Sequence, residues 1–154
     1  MTLLKKLATE IKDLSEKWYE VIFDTDELNL LCSANEILNQ FDNSDWEELN
    51  TELIYWSNPE LEILAETIIM GCEGNESVEN NDTLGFIFSL VDLKTASNLL
   101  TNDIGDYLTE YKIESDELVN KMTLKLIELK NEKYLNEKEY LLWLNRIKLK
   151  KASR

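Results

Sequence analysis

Apolar residues recur at helical spacing along nearly the whole chain, and that pattern excludes most folds. Leu4, Leu7, Ile11, Leu14 and Trp18 step by three and four, which predicts one apolar stripe over residues 2 to 22. Asp24-Thr25-Asp26-Glu27 has the pattern of a capping box, so it stops that helix and starts a second. The second carries Leu30, Ala34, Ile37 and Phe41 on one face, flanked by Leu31 and Leu38. Ser44-Asp45-Trp46-Glu47 reads as another capping box, opening a third helix with the stripe Trp46, Leu49, Leu53 and Trp56. Asn58-Pro59 places proline at the first position of a fourth helix, which buries Leu61, Leu64, Ala65, Ile68 and Cys72.

Residues 73–82 form the one long polar stretch without periodicity, and it reads as a loop. Leu84 to Val91 is strongly apolar and reads as a helix, although Phe86-Ile87-Phe88 fits a strand on length alone. Asp92 is placed to cap a helix burying Leu93, Ala96, Leu99 and Leu100, and Ile104, Tyr107, Leu108 and Tyr111 suggest another short one. Ser115-Asp116-Glu117 opens a long helix with Leu118, Met122, Leu126 and Leu129 inside. Asn136-Glu137-Lys138-Glu139 caps a last helix with Tyr140, Trp143, Leu144 and Ile147.

One proline and four glycines suit long helices better than a turn-rich β fold. The expectation is therefore an all-α protein, a single domain spanning 1–154, with eight or nine helices packed as antiparallel pairs or in a HEAT-like stack. An internal echo bears on the stack: residues 27–32 align with 60–65 at an offset of 33, a length typical of helical-pair repeats. The apolar arcs centre on Ala34 and Ile68, which are not equivalent under that offset, so the wheel counts against a repeat.

Charge is distributed unevenly. Residues 18–111 hold 21 acidic side chains and one basic, Lys94, whereas residues 1–17 are net +1 and residues 112–154 net +4. Glu48 with Glu52, and Glu62 with Glu66, are like charges at i, i+4, and each such pair opposes its helix by a few tenths of a kcal/mol. Solubility accounts for a net charge of −15 but poorly for 94 residues with a single cation. A negative surface for a positively charged partner accounts for both.

Several chemistries lack their residues. The chain has no histidine, so Ser-His-Asp and Cys-His triads are absent, as are the common zinc sites. Neither GxxxxGK[ST] nor GxGxxG occurs. The calcium-loop patterns at Asp24 and Asp42 fail at their sixth positions, Asn29 and Glu47, where glycine is required. No enzyme, cofactor or metal is expected. A segment of charge −20 disfavours direct nucleic-acid binding, and no apolar run approaches the roughly 18 residues that span a membrane. Cys32 and Cys72, without a CxxC, read as two free thiols in a reducing cytosol, so the expected location is cytoplasmic.

The candidate surface lies on the third and fourth helices. Opposite the Trp46–Trp56 stripe stand Glu48, Thr51, Glu52 and Tyr55; opposite Leu64 and Ile68 stand Glu62 and Glu66, with Ile63 and Met70. Carboxylates beside a tyrosine or an aliphatic group suit a partner's arginine and lysine. Ile63 and Met70 also fit a central helix packed on two sides.

With Trp46-Glu47-Glu48-Leu49 leading to Asn58-Pro59-Glu60-Leu61-Glu62, the chain resembles the small acidic helical immunity proteins that bacteria encode beside polymorphic or contact-dependent toxins. The resemblance implies a non-catalytic inhibitor that blocks a basic partner such as a nuclease toxin, and it transfers no individual site. The abundance of Asn, Ile, Lys and Leu fits an AT-rich bacterial genome. The alternative is a helical-repeat adaptor or scaffold domain for protein–protein interaction. Neither reading sets an oligomeric state.

Overall fold

The computed structural model describes residues 2–17, 27–70, 81–101 and 115–152, and every regular element among them is helical. The chain is all-α. Its helices are α1 (Leu3–Glu16), α2 (Glu27–Asn39), α3 (Asn43–Glu52), α4 (Asn58–Met70), α5 (Asn81–Leu90), α6 (Leu93–Leu99), α7 (Asp116–Asn131) and α8 (Glu137–Ala152), with a 3-10 turn at Leu53–Tyr55. The segment 86–88 is helical, because Leu84, Ile87 and Phe88 share one buried face of α5. The expected cap at 24–27, the short helix at 104–111, Trp18 and Cys72 lie outside the described residues.

Contacts group the chain into two compact units, Met1–Asn80 and Asn81–Arg154. The division follows the polar stretch read as a loop at 73–82, except that Asn81 and Asp82 belong to the first turn of α5. An aspartate there interacts favourably with the positive end of the helix dipole.

In the first unit α1 lies against α2, α3 and α4, and α2 also packs on α4. The α1 stripe holds for Leu4, Leu7, Ile11 and Leu14, all buried, but the helix ends at Glu16, short of the expected residue 22; Thr2 caps its start through a 3.2 Å hydrogen bond from the Lys5 amide. α2 is rotated from its expected face: Leu31, Ala34, Asn35 and Leu38 are buried, while Ile37 and Phe41 are half-buried. Asn35 belongs to the buried arc. Its amide turns inward and donates to the carbonyl of Thr67 on α4 at 3.5 Å, so a polar residue occupies the core face. The rotation also buries both members of three pairs separated by 33, Leu31 and Leu64, Ala34 and Thr67, and Asn35 and Ile68. Within the echo itself only Leu31 and Leu64 share full burial among the described side chains, since Cys32 is half-buried and Ala65 fully buried.

α3 begins two residues earlier than expected, with its cap at Asp42 rather than Ser44. Asp42 is the N-cap, and it exchanges hydrogen bonds with Asp45. α4 starts with a similar box, since the Ser57 amide donates to Glu60 Oε1 at 3.0 Å and the Glu60 amide to Ser57 Oγ at 3.3 Å. This places Pro59 at the second helical position rather than the first. Both positions lie in the first turn, where a missing N–H costs no helical bond.

In the second unit α7 is the centre, touching α5, α6 and α8. Its buried residues are Leu118, Val119, Met122, Leu126 and Leu129, and Ser115 caps it. Gly85 lets α5 approach closely: a Cβ there meets Leu118 Cδ2 at 2.9 Å and Met122 Sδ at 3.0 Å. Asp92 caps α6 by accepting from the Thr95 amide at 2.8 Å, and Ala96, Leu99 and Leu100 are buried as expected, with Leu93 only half-buried. α8 is capped by Asn136 and Glu139, but of its expected interior only Ile147 is fully buried. Tyr140 and Trp143 are half-buried and covered by cations, with Lys130 Nζ at 4.4 Å and the Arg146 guanidinium carbon at 4.7 Å from the respective ring centres.

Cys32 is disulfide-bonded, which corrects the expectation of free thiols. No helix among the described residues is long and apolar enough to cross a membrane.

Candidate functional site

The division into units sorts the charge. Residues 1–80 contain four basic and 19 acidic side chains, whereas residues 81–154 contain twelve of each. The whole net charge of −15 belongs to the first unit, and so do all six candidate residues.

Part of that acid is committed to architecture. Asp42, Asp45 and Glu60 satisfy backbone amides at helix starts, where carboxylates are favoured over neutral caps. Of the acid that remains, Asp13, Glu16 and Glu36 are exposed on α1 and α2, and three exposed carboxylates, Glu47, Glu48 and Glu52, stand on α3. Leu49 and Leu53 anchor one side of this segment in the core, with Trp46 and Trp56 half-buried beside them. Phe41 holds the Trp46 ring edge-on at 5.2 Å. The opposite side is thereby forced outward, and Glu47, Glu48, Thr51 and Glu52 are all exposed.

The 3-10 turn continues this face with two large side chains in solvent, Ile54 at 66% and Tyr55 at 79% exposure. Four of the sequence-derived residues, Glu48, Thr51, Glu52 and Tyr55, therefore share one exposed face. Glu47 and Ile54 extend it. A wheel drawn only around the Trp46–Trp56 stripe misses both. The Thr51 hydroxyl donates back to the Glu47 carbonyl at 3.0 Å, so this residue offers a methyl and an acceptor rather than a free donor.

Glu62 and Glu66 are placed differently. Both stand half-buried on α4, a helix that packs against α1 and α2, and the Oε2 atom of Glu66 is fully enclosed. Ile63 between them is wholly buried, so α4 is a helix packed on more than one side. The side chain of Met70 lies outside the described residues.

Where α3 meets the start of α1 there is a cavity of about 220 Å³. Thr2, Leu4, Lys5 and Ala8 line it from α1 and its cap; Glu48, Glu52 and Trp56 line it from the other side. The wall is mixed, with apolar residues Leu4, Ala8 and Trp56 beside the acidic Glu48 and Glu52 and the basic Lys5. No ion pair within 4.0 Å joins Lys5 to Glu48 or Glu52 among the described residues. Nor do those residues hold a cluster of three or more His, Cys, Asp or Glu suited to a metal ion.

No protein-family model, curated protein or solved structure matches this chain.

Proposed function

We propose that this chain is a non-catalytic binding protein, an immunity-type inhibitor whose acidic α3 face covers the basic surface of a protein such as a bacterial nuclease toxin. The observation that carries the reading is the grouping of Glu47, Glu48 and Glu52 with Ile54 and Tyr55 on one exposed face. Like charges at i, i+4 work against α3, and exposed Ile54 and Tyr55 gain nothing from folding. An incoming cationic surface with apolar side chains compensates both. Its arginines meet the carboxylates while the isoleucine and tyrosine exclude water around them.

The mechanism is blockade without turnover. A unit of charge −15 steers a basic partner into contact, and carboxylates then occupy positions where that partner would hold phosphates. The test is capture from the native host at low and moderate salt, with the captured protein identified and assayed. A basic protein inhibited by the wild type but not by Glu48→Lys/Glu52→Lys supports the reading. Equal capture by a well-folded double variant removes α3 as the interface.

A second reading, a helical-repeat adaptor, has one observation in its favour: the paired burial of Leu31 with Leu64, Ala34 with Thr67 and Asn35 with Ile68. An apolar groove binder keeps its affinity as salt rises, whereas a charge-driven inhibitor loses it.

A further inference from the structure

We propose that the cavity between α1 and α3 takes a single arginine side chain from the partner, beside Lys5 as a like-charged neighbour in the wall. This rests on the inhibitor reading and names the chemistry by which the α3 face anchors its partner. Size is the first argument. At about 220 Å³ the cavity falls below the roughly 300–1,000 Å³ usual for small-molecule sites, and it suits one long side chain. Charge is the second. Glu48 and Glu52 outnumber Lys5, leaving the site one cation short of neutrality.

Shape and chemistry narrow the cation to arginine. Leu4, Ala8 and Trp56 offer apolar cover for a methylene stem, while Glu48 and Glu52, one turn apart, line the same cavity with carboxylates. A guanidinium is planar, weakly hydrated and able both to bridge carboxylates and to stack on an indole, whereas an ammonium does neither well. Lys5 sits in the same wall without a close ion pair to either glutamate, so an arriving guanidinium breaks no salt bridge of the described residues. Lys5, already exposed, is a like charge beside the guanidinium and opposes its binding.

The test uses the full chain and a five-residue peptide with one arginine among glycines and serines, beside the same peptide carrying citrulline, which is uncharged but nearly isosteric. The readout is the indole N–H resonance of Trp56 during titration. The arginine peptide is expected to shift it saturably and the citrulline peptide not to. Glu48→Gln/Glu52→Gln should weaken binding by about tenfold, the loss expected when charge-assisted contacts become neutral ones. Lys5→Met should tighten it by about threefold, as relief of like-charge competition predicts, and a gain of that kind does not arise from misfolding. Equal response to citrulline, or indifference to the glutamine variants with helicity and melting unchanged, overturns the proposal. If the peptide fails while Glu48→Lys/Glu52→Lys still abolishes partner capture, the cavity is overturned and the α3 face stands. If the peptide responds as stated while partner capture ignores the charge reversal, the arginine site stands and the inhibitor reading falls.

Discussion

Asp42 and Asp45 hold each other's backbone: the Asp42 amide donates to Asp45 Oδ2 at 3.0 Å, and the Asp45 amide donates to Asp42 Oδ1 at 2.9 Å. A capping box is more often built from a hydroxyl and a glutamate. Here two aspartates do the same work, so part of the acidic surplus in this region is structural. Asp42→Ala should therefore destabilise the first unit by about 1 kcal/mol in urea unfolding. The neighbouring Glu47→Ala, at an exposed position, should stay within about 0.5 kcal/mol of the wild type. Equal losses at the two positions contradict the assignment of one acid to the fold and the other to the surface.

Lys125 is the counterpart in the second unit. From α7 its Nζ donates to the Val91 carbonyl just past the end of α5, at 2.7 Å in a partly buried setting. A cation at a helix C-terminus meets both an orphan carbonyl and the negative end of the dipole. Lys125→Met is expected to lower stability by about 1–2 kcal/mol, the range of a charge-assisted bond partly open to solvent. Lys121→Met, which removes an exposed pair with Glu117, should cost less than about 0.5 kcal/mol. Thermal melts of the two variants separate these outcomes.

The turn between α7 and α8 contains a stabilising substitution. Lys133 has φ of 67°, and the Tyr134 amide reaches back to the Leu129 carbonyl at 2.8 Å while the Lys133 amide reaches Lys130 at 3.1 Å. This is a helix-ending motif whose left-handed position favours glycine. Lys133→Gly should raise stability by about 0.5–1 kcal/mol, the relief of left-handed strain less the flexibility that glycine adds to the unfolded chain. A loss of stability there contradicts the backbone geometry at this turn.

Gly85 separates two substitutions by size. Alanine at this position should be tolerated, since the nearest atoms are the movable ends of Leu118 and Met122 and helix propensity improves. Leucine has no such space, and Gly85→Leu should cost about 2–3 kcal/mol or more by forcing α5 off α7. Urea midpoints for the two variants check the difference.

Reduction should weaken the first unit. With Cys32 disulfide-bonded, reductant or Cys32→Ser is expected to lower its stability by about 2–4 kcal/mol. An unchanged melt under reductant, with thiol titration confirming complete reduction, contradicts the bond's structural role.

Periodicity made the helices legible wherever one face is simply apolar, as in α1 and α7, where every described residue that the spacing picks out is buried and only Val119 of α7 was missed. It erred where a polar residue turns inward. An apolar arc centred on Ala34 gives no role to Asn35, yet Asn35 is buried with its amide on the Thr67 carbonyl, in an arc that runs through Leu31 and Leu38. Spacing also overstated burial in α8, which rests on α7 and shields Tyr140 and Trp143 with Lys130 and Arg146 instead of a second apolar layer. The candidate surface was legible on α3 because Leu49 and Leu53 fix which side faces out. On α4 a helix wheel has no knowledge of neighbours, and the arc carrying Glu62, Ile63 and Glu66 is packed rather than open. The cavity was invisible to spacing, since Lys5 and Glu48 are brought together only by the packing of α1 on α3.

Calorimetric titration of the identified basic partner into wild type and Glu48→Lys/Glu52→Lys, at two salt concentrations, tests the central claim most directly. The acidic face predicts strong binding at low salt, a loss of about tenfold or more at moderate salt, and near abolition in the double variant with helicity and melting intact. Affinity that is indifferent to both salt and charge reversal contradicts it.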